Sequence, residues 1–324
     1  MTHADRFFLG IDISKRQFDV ALLKPDGKWK HKKFQNQANG FEQLADWLTK
    51  LKVGRTHACM EATNVYGEAL AEFLFDQGYD VSVVNPARIK GFAQGELLRT
   101  KTDKQDAALI ARFCQAMSPA HWQPDPLPVR ELRALVRRLE ALNTMKQQEQ
   151  NRLDVADTVV RPDLESHIAD LVERIARLQQ DIDDHIDGHP ELKEQKDLMS
   201  SIPGVGPATI ATCLAHFVDV HRFSNAKKLA SFCGVAPRQF ESGTSLRGRG
   251  AMSKIGSSQL RKALYFPAMV ALRYNPAMAG LQRRMTEKGK AKKLIIGAAM
   301  RKLIHIIYGV LKHKTPFSSE VSYA

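Results

Sequence analysis

Two carboxylates stand three residues apart in Lys101-Thr102-Asp103-Lys104-Gln105-Asp106-Ala107, where the spacing predicts a helix from Asp103 to Ala116. Residues three apart share a helix face, with Cβ atoms about 5–6 Å apart, so Asp103 and Asp106 can converge on one divalent cation. Two further acids close predicted strands: Asp12 in Leu9-Gly10-Ile11-Asp12 and Glu61 in Ala58-Cys59-Met60-Glu61-Ala62. Four hard oxygen donors from two strand ends and one helix face make a Mg²⁺ site. Asp-Xaa-Xaa-Asp alone is a weak signal, because about a quarter of residues in an average protein are charged. Each acid also has an ordinary reading. Asp12 suits a strand-end turn, Glu61 a buried pair with a base, Asp103 a helix N-cap, and Asp106 the positive end of the same helix.

The elements that must position these acids precede them. Residues 6–24 predict a hairpin turning at Ser14-Lys15, and Trp29 to Phe34 predicts a third strand. Gly40 to Leu51 has helical apolar spacing, His57 to Ala62 is a short buried strand, Gly67 to Phe75 a helix, and Tyr79 to Val84 another strand. Three consecutive strands followed by alternating helix and strand is the order of a ribonuclease-H-like α/β domain. There the strand-end acids would meet the helix carrying Asp103 and Asp106.

The 324-residue chain carries a net charge of +13. From Met199 to Ala324 there are 20 Lys/Arg against 4 Asp/Glu, while the remainder is slightly acidic with 28 against 31. A cationic C-terminal third implies a polyanionic partner held there. Cys59, Cys114, Cys213 and Cys233 form no Cys-Xaa-Xaa-Cys pair, and read as free thiols of a reducing cytoplasm, with neither disulfides nor zinc. No signal peptide is expected. The apolar run Leu294 to Met300 ends at Arg301-Lys302, far short of the ~18 residues of a membrane span.

Pro124 to Pro128 closes the first domain, so the expected division is 1–125, 126–198 and 199–324. In the middle segment Leu132, Leu135, Leu139 and Leu142, then Leu164, Ile168, Leu171, Ile175, Leu178 and Ile182, predict two helices with heptad-like repeats. They form either an intramolecular hairpin or a dimer contact. Ile202-Pro203-Gly204-Val205-Gly206-Pro207 reads as a helix-hairpin-helix turn. Its amides, at Gly204 and Gly206, could hold a backbone phosphate, or the turn is simply one that needs positive φ. Ala236 to Ser253 predicts an irregular loop between helices at Lys227–Cys233 and Ser258–Arg273. Arg238, Arg247, Arg249 and Lys254 are its candidate nucleic-acid contacts, set against the alternative of a solvated loop. The last helix is expected from about Lys293 to Leu311, as core packing.

Taken in order, Gly10-Ile11-Asp12-Ile13-Ser14-Lys15, Glu61-Ala62-Thr63, Lys101-Thr102-Asp103 with Asp106-Ala107, the Ile202-Pro203-Gly204-Val205-Gly206 turn and Glu241-Ser242-Gly243 resemble the IS-one-ten (DEDD) family of insertion-sequence transposases. The likeness runs from about residue 6 to 315. It implies a RuvC-like N-terminal domain, a coiled-coil linker and a C-terminal transposase domain. It also implies Asp12, Glu61, Asp103 and Asp106 as metal-binding acids and Ser242, in preference to the nearby Ser245, as nucleophile. Members of that family are recombinases guided by a structured RNA that pairs with target and donor DNA. They work as homodimers pairing into tetramers, with the RuvC-like domain of one subunit facing the transposase domain of another.

The expected reaction is attack of Ser242 on a DNA phosphate with Mg²⁺, through a phosphoserine link that lets strands rejoin without ATP. A serine hydroxyl needs activation, and no His lies near Ser242 in sequence. Three alternatives compete: a metal-dependent junction nuclease using water, a non-catalytic nucleic-acid-binding protein, and an actin-like sugar kinase. The last is disfavoured by the missing phosphate loops and the cationic third.

Overall fold

The computed structural model describes residues 6–62, 65–96, 103–238, 241–242, 246–247 and 251–320. Lys101, Thr102, Thr63, Gly243, Ser245 and Arg249 lie outside the described residues, as do the side chains of Glu241, Ser242 and Arg247. The chain divides into two units, Met1–Pro124 and Asp125–Ala324.

The first unit is built on a five-stranded sheet of β1 (Phe7–Ile13), β2 (Gln17–Leu23), β3 (Trp29–Gln35), β4 (Thr56–Glu61) and β5 (Asp80–Val84) in the order β3-β2-β1-β4-β5. β2 runs antiparallel to β1 and β3, whereas β4 is parallel to both β1 and β5. The parallel joins require crossovers, supplied by α1 (Ala38–Lys50) and α2 (Glu68–Asp76), while α3 (Pro86–Gly95) and α4 (Asp103–Met117) follow the last strand. This mixed sheet is compatible with a ribonuclease-H-like start to the chain.

Strand side chains alternate between faces, and here both faces are covered. Leu9, Ile11, Ala58 and Met60 pack with Leu44, Leu48, Leu70 and Leu74 of α1 and α2. Phe8 and Cys59 pack with Ile110, Phe113 and Cys114 of α4 and with Ile89 of α3. Burial on both sides explains why β1 and β4 read as near-continuous apolar runs. α3 has no counterpart among the predicted elements. Its start is Asn85, whose side chain accepts the Ala87 N–H at 2.8 Å, followed by Pro86 in the first turn. That Asn-Pro pair is a helix-start signal as much as a strand-end one.

The second unit is almost wholly helical: α5 (Leu127–Leu153), α6 (Arg161–Asp187), α7 (Pro190–Ser200), α8 (Pro207–Phe217), α9 (Ala226–Phe232), α10 (Ser258–Ala263), α11 (Tyr265–Tyr274), α12 (Pro276–Glu287) and α13 (Lys292–His313). Leu142 of α5 packs on Leu171 and Ile175 of α6, so these two helices form an intramolecular hairpin. At its base Val129, Leu132, Ile182 and Ile186 enter one core with Leu214, Phe217, Leu303 and Ile307. α13 is long and apolar enough to cross a membrane by length and composition. Its Ile295, Leu303, Ile307 and Leu311 are buried in that core, the behaviour of a central helix.

The helix expected over Ser258–Arg273 is instead two. α10 ends at Ala263 and α11 begins at Tyr265, because Pro267 carries no N–H and is tolerated only in a first helical turn. The segment expected as an irregular loop also differs. It contains β6 (Pro237–Arg238) paired with β9 (Ala251–Met252), and β7 (Glu241–Ser242) paired with β8 (Leu246–Arg247). Strands of two residues are too short to print an alternating pattern on the sequence.

Candidate metal centre and serine ribbon

Asp12 and Glu61 sit on adjacent parallel strands. The β1–β4 register runs through Gly10↔Cys59 and Ile11↔Met60, so the next step pairs Asp12 with Glu61 at the C-terminal ends of β1 and β4. Register partners point to the same face, and neighbouring strands lie about 4.8 Å apart. The parity of Phe8-Gly10-Asp12 and His57-Cys59-Glu61 places both acids on the face covered by α4.

α4 presents one stripe to that face: Ala107, Ile110, Ala111 and Cys114, all buried. Its backbone comes close because Gly10 has no side chain; a Cβ there would stand 2.0 Å from the Ala107 oxygen and 2.3 Å from the Ala111 nitrogen. At the other end, the Cys114 thiol lies 3.7 Å from the His57 carbonyl oxygen, near the start of β4. The helix therefore runs antiparallel to β1 and β4. Toward the helix start the stripe continues as Asp103, one turn before Ala107, and Asp106, one turn before Ile110. From the Gly10 level Asp12 is roughly 7 Å further along its strand, and Asp103 to Asp106 are roughly 5–9 Å back along the helix. All four acids thus reach the same end of the same face.

Their carboxylates do not converge on one point. Asp103 is exposed and the other three are half-buried, and Asp12, Glu61 and Asp106 each interact with another group. Among the described residues no three His, Cys, Asp or Glu side chains stand close enough to hold a metal ion. The donor chemistry fits a hard divalent cation, since all four are carboxylates. Backbone placement fits it too, but the side chains would have to move to reach a single ion.

The N-terminal ends of β4 and β5, opposite the acids along the strands, hold a polar cluster that the sequence did not reveal. His57, fully buried, shares a 2.7 Å hydrogen bond with the Ser82 hydroxyl, which also contacts the Ala120 carbonyl at 2.8 Å. Burial, helped by the nearby Arg6 charge, pushes the His57 imidazole down to about 4. Asp80 ties Arg6 to Arg55 (3.5 Å) and His121 (3.3 Å) at the same place. The partners are at least 25 residues apart in sequence, and no local pattern joins them.

In the second unit Ser242 lies on β7, opposite Leu246 on β8. The base of this ribbon is fixed by the β6–β9 pair and by the Ser253 N–H donating to the Ala236 carbonyl at 2.8 Å. Arg238 and Lys254 flank the base and are exposed; the Lys254 carbonyl accepts from Arg261 Nη1 at 3.1 Å. Arg247 pairs with Glu241 along the ribbon backbone. In the α7–α8 turn the two glycines differ. Gly204 has φ +98°, and a Cβ there would meet the Ala271 nitrogen at 2.8 Å, so its lack of a side chain serves packing against α11. Gly206, exposed at the N-terminus of α8, has nothing within 4 Å of a Cβ position.

Comparison with known proteins places this arrangement in a lineage. Residues 9–156 match the DEDD transposase family of IS110, and residues 196–283 match the transposase IS116/IS110/IS902 family. Pilin gene-inverting proteins of Moraxella bovis and Moraxella lacunata are each 35% identical over 318 residues, 97% of this chain and 98% of theirs. The transposase for insertion sequence element IS1111A of Coxiella burnetii is 24% identical, over 82% of this chain and 78% of its own. The chain therefore belongs to the IS110 family of transposases and recombinases, enzymes that process DNA.

Proposed function

We propose that this protein cuts and rejoins DNA strands by phosphoryl transfer, in a RuvC-like first unit that holds Mg²⁺ on Asp12, Glu61, Asp103 and Asp106, with Ser242 as the nucleophile. The observation that carries the reading is the shared position of the four acids: two at matching register on parallel strands, two on the facing stripe of α4. A bound divalent cation would neutralise charge on the phosphoryl oxygens and ease ionisation of an oxygen nucleophile.

The chain's own part follows from its residues. Ser242 Oγ forms a bond to phosphorus and gives up its proton. The bond from phosphorus to the deoxyribose oxygen breaks, and that oxygen takes up a proton as a free hydroxyl. The phosphoserine ester keeps the energy of the broken link, so attack by a new deoxyribose hydroxyl rejoins DNA and restores the serine. The cationic Arg238, Arg247, Arg249 and Lys254 and the amides around Gly204 and Gly206 hold phosphates along the strands. A structured guide RNA that pairs with target and donor supplies sequence choice. Subunits act as homodimers assembled into a tetramer. The relatives named as pilin gene-inverting proteins support rearrangement of DNA segments as the outcome.

The test is a strand-cleavage assay with denaturing capture of covalent protein–DNA adducts. Wild type gives a Mg²⁺-dependent adduct that maps to Ser242; Asp103→Asn and Ser242→Ala give none. Cleavage by Ser242→Ala without an adduct selects the water-using nuclease, and unchanged activity of Asp103→Asn removes the metal centre.

A further inference from the structure

The first unit has an open cleft of about 790 Å³ whose lining residues are all polar except Phe34. One wall is the β1–β2 turn, which displays Lys15 and Arg16; the other is the end of β3 and the beginning of α1, with Lys33, Gln35, Asn39 and Gln43. From Ile13 to Gln37 the chain carries seven Lys/Arg against two Asp, although the unit as a whole is nearly neutral. Lys33 is held by Asp19 at 3.2 Å. Lys15 and Arg16 have no ion-pair partner among the described residues, and both are exposed. Lysines on β3 have an ordinary explanation, since β3 is an edge strand and charge there blocks pairing with other chains. That explanation does not extend to Lys15 and Arg16, which occupy a turn.

The cleft is rigidly built. The Ser14 N–H (2.9 Å) and hydroxyl (2.7 Å) both donate to the Gln17 carbonyl and close the turn. Asn36 donates from its side chain to the carbonyls of Ser14 and Tyr66, both at 3.0 Å, and its N–H donates to the Arg16 carbonyl at 3.0 Å. Gly40 lets α1 fold back on β3; a Cβ there would stand 1.9 Å from the Gln35 oxygen. α1 consequently opens into the cleft with no side-chain cap at Gln37 and no acid in its first turn. Among the described residues the Ala38 and Asn39 amides have no backbone hydrogen-bond acceptor. Free amides at a helix start, two unpaired cations and a row of carboxamides form a recognition set for phosphate oxygens and sugar hydroxyls.

We propose that this cleft is a phosphodiester-backbone site that leads a polynucleotide strand toward the acids. The turn that carries Lys15 and Arg16 begins two residues after Asp12, so the strand leaves the cleft at the end of the sheet where Asp12 and Glu61 stand. This deepens the proposed function, on which it rests for the purpose of the strand. DNA and RNA share the backbone chemistry.

The experiment reads binding in EDTA, where no cutting occurs, so it answers even if the metal reading fails. The full chain is titrated against fluorescein-labelled 20-nucleotide single-stranded DNA, and against RNA of the same sequence, from low to moderate salt. Lys15→Ala/Arg16→Ala removes two phosphate contacts, flattening the dependence of log affinity on log salt by about 1.4 and weakening binding on the order of tenfold. Lys50→Ala/Lys52→Ala, at the far end of α1, changes neither. Loss with DNA alone, RNA alone or both supports the cleft and names the strand. Unchanged slope and affinity with both overturns it. Because all four native cysteines are buried, Gln43→Cys can carry an aryl-azide crosslinker. Crosslinking to the bound oligonucleotide above that from Lys50→Cys is expected, and equal yields contradict the site.

Discussion

Gly10 of β1 and Ala107 of α4 meet backbone to backbone, with room at Gly10 for a hydrogen and nothing larger. This contact sets the height of α4 over the sheet and so brings its first turn to the level of Asp12 and Glu61. Gly10→Ala therefore does double damage. Overpacking against main chain, which cannot swing away, costs at least about 3 kcal/mol, the upper end of its usual range. Chemical denaturation measures that loss. DNA cleavage, assayed below the unfolding midpoint, falls further than the folded fraction does, because α4 is displaced. Activity that simply tracks the folded fraction would show that α4's height is irrelevant to the reaction.

The two glycines of the α7–α8 turn separate packing from binding. Gly204→Ala forces a Cβ onto a left-handed residue and into the backbone of Ala271, costing about 2–3 kcal/mol. Gly206→Asp places a good N-cap where nothing crowds it, so the melting temperature holds or rises. The same carboxylate repels phosphate at the start of α8, and affinity for duplex DNA drops severalfold in a mobility-shift assay. Undiminished affinity would exclude that helix start from DNA contact.

Stability should depend on pH through His57. Its folded-state pKa, about 4, lies below the ordinary value of 6.5, so the unfolded chain takes up a proton first as pH falls. Stability contributed by the neutral buried ring is complete above pH 6.5 and declines as pH drops toward 4, by on the order of 3 kcal/mol. His57→Gln removes the titration and flattens the melting temperature over that interval. A variant whose curve is as steep as wild type assigns the pH dependence elsewhere.

How much of this was legible in the sequence follows from range. β1 to β5 and α4 could be read because their apolar patterns are local and long. The side-chain types of the four acids are legible as well, and Gly10 belongs to the Gly10-Ile11-Asp12 motif. That Asp12 and Glu61 share a register, and that α4 lies antiparallel over them, depends on contacts across fifty to a hundred residues. The cleft is not legible from Lys15 alone, because its walls come from a turn and a helix start more than twenty residues apart. The break at Leu264 was the opposite case, since Pro267 was a local signal that apolar spacing on either side obscured.

Mixing variants tests the proposed sharing of active sites between subunits. Ser242→Ala and Asp103→Asn are each inactive alone. If the serine of one subunit serves the acids of another, the co-assembled mixture recovers up to about a quarter of wild-type sites by random pairing. Strand exchange in the mixture reads this directly, and a mixture as dead as its components confines each reaction to a single chain.

The most direct test of the metal centre is a crystal structure of the full chain with DNA and saturating Mn²⁺, read by anomalous scattering. A peak within about 2.3 Å of carboxylate oxygens from Asp12, Glu61 and the Asp103/Asp106 pair is the predicted result. No peak at that end of the sheet, or one held by other residues, would contradict the account.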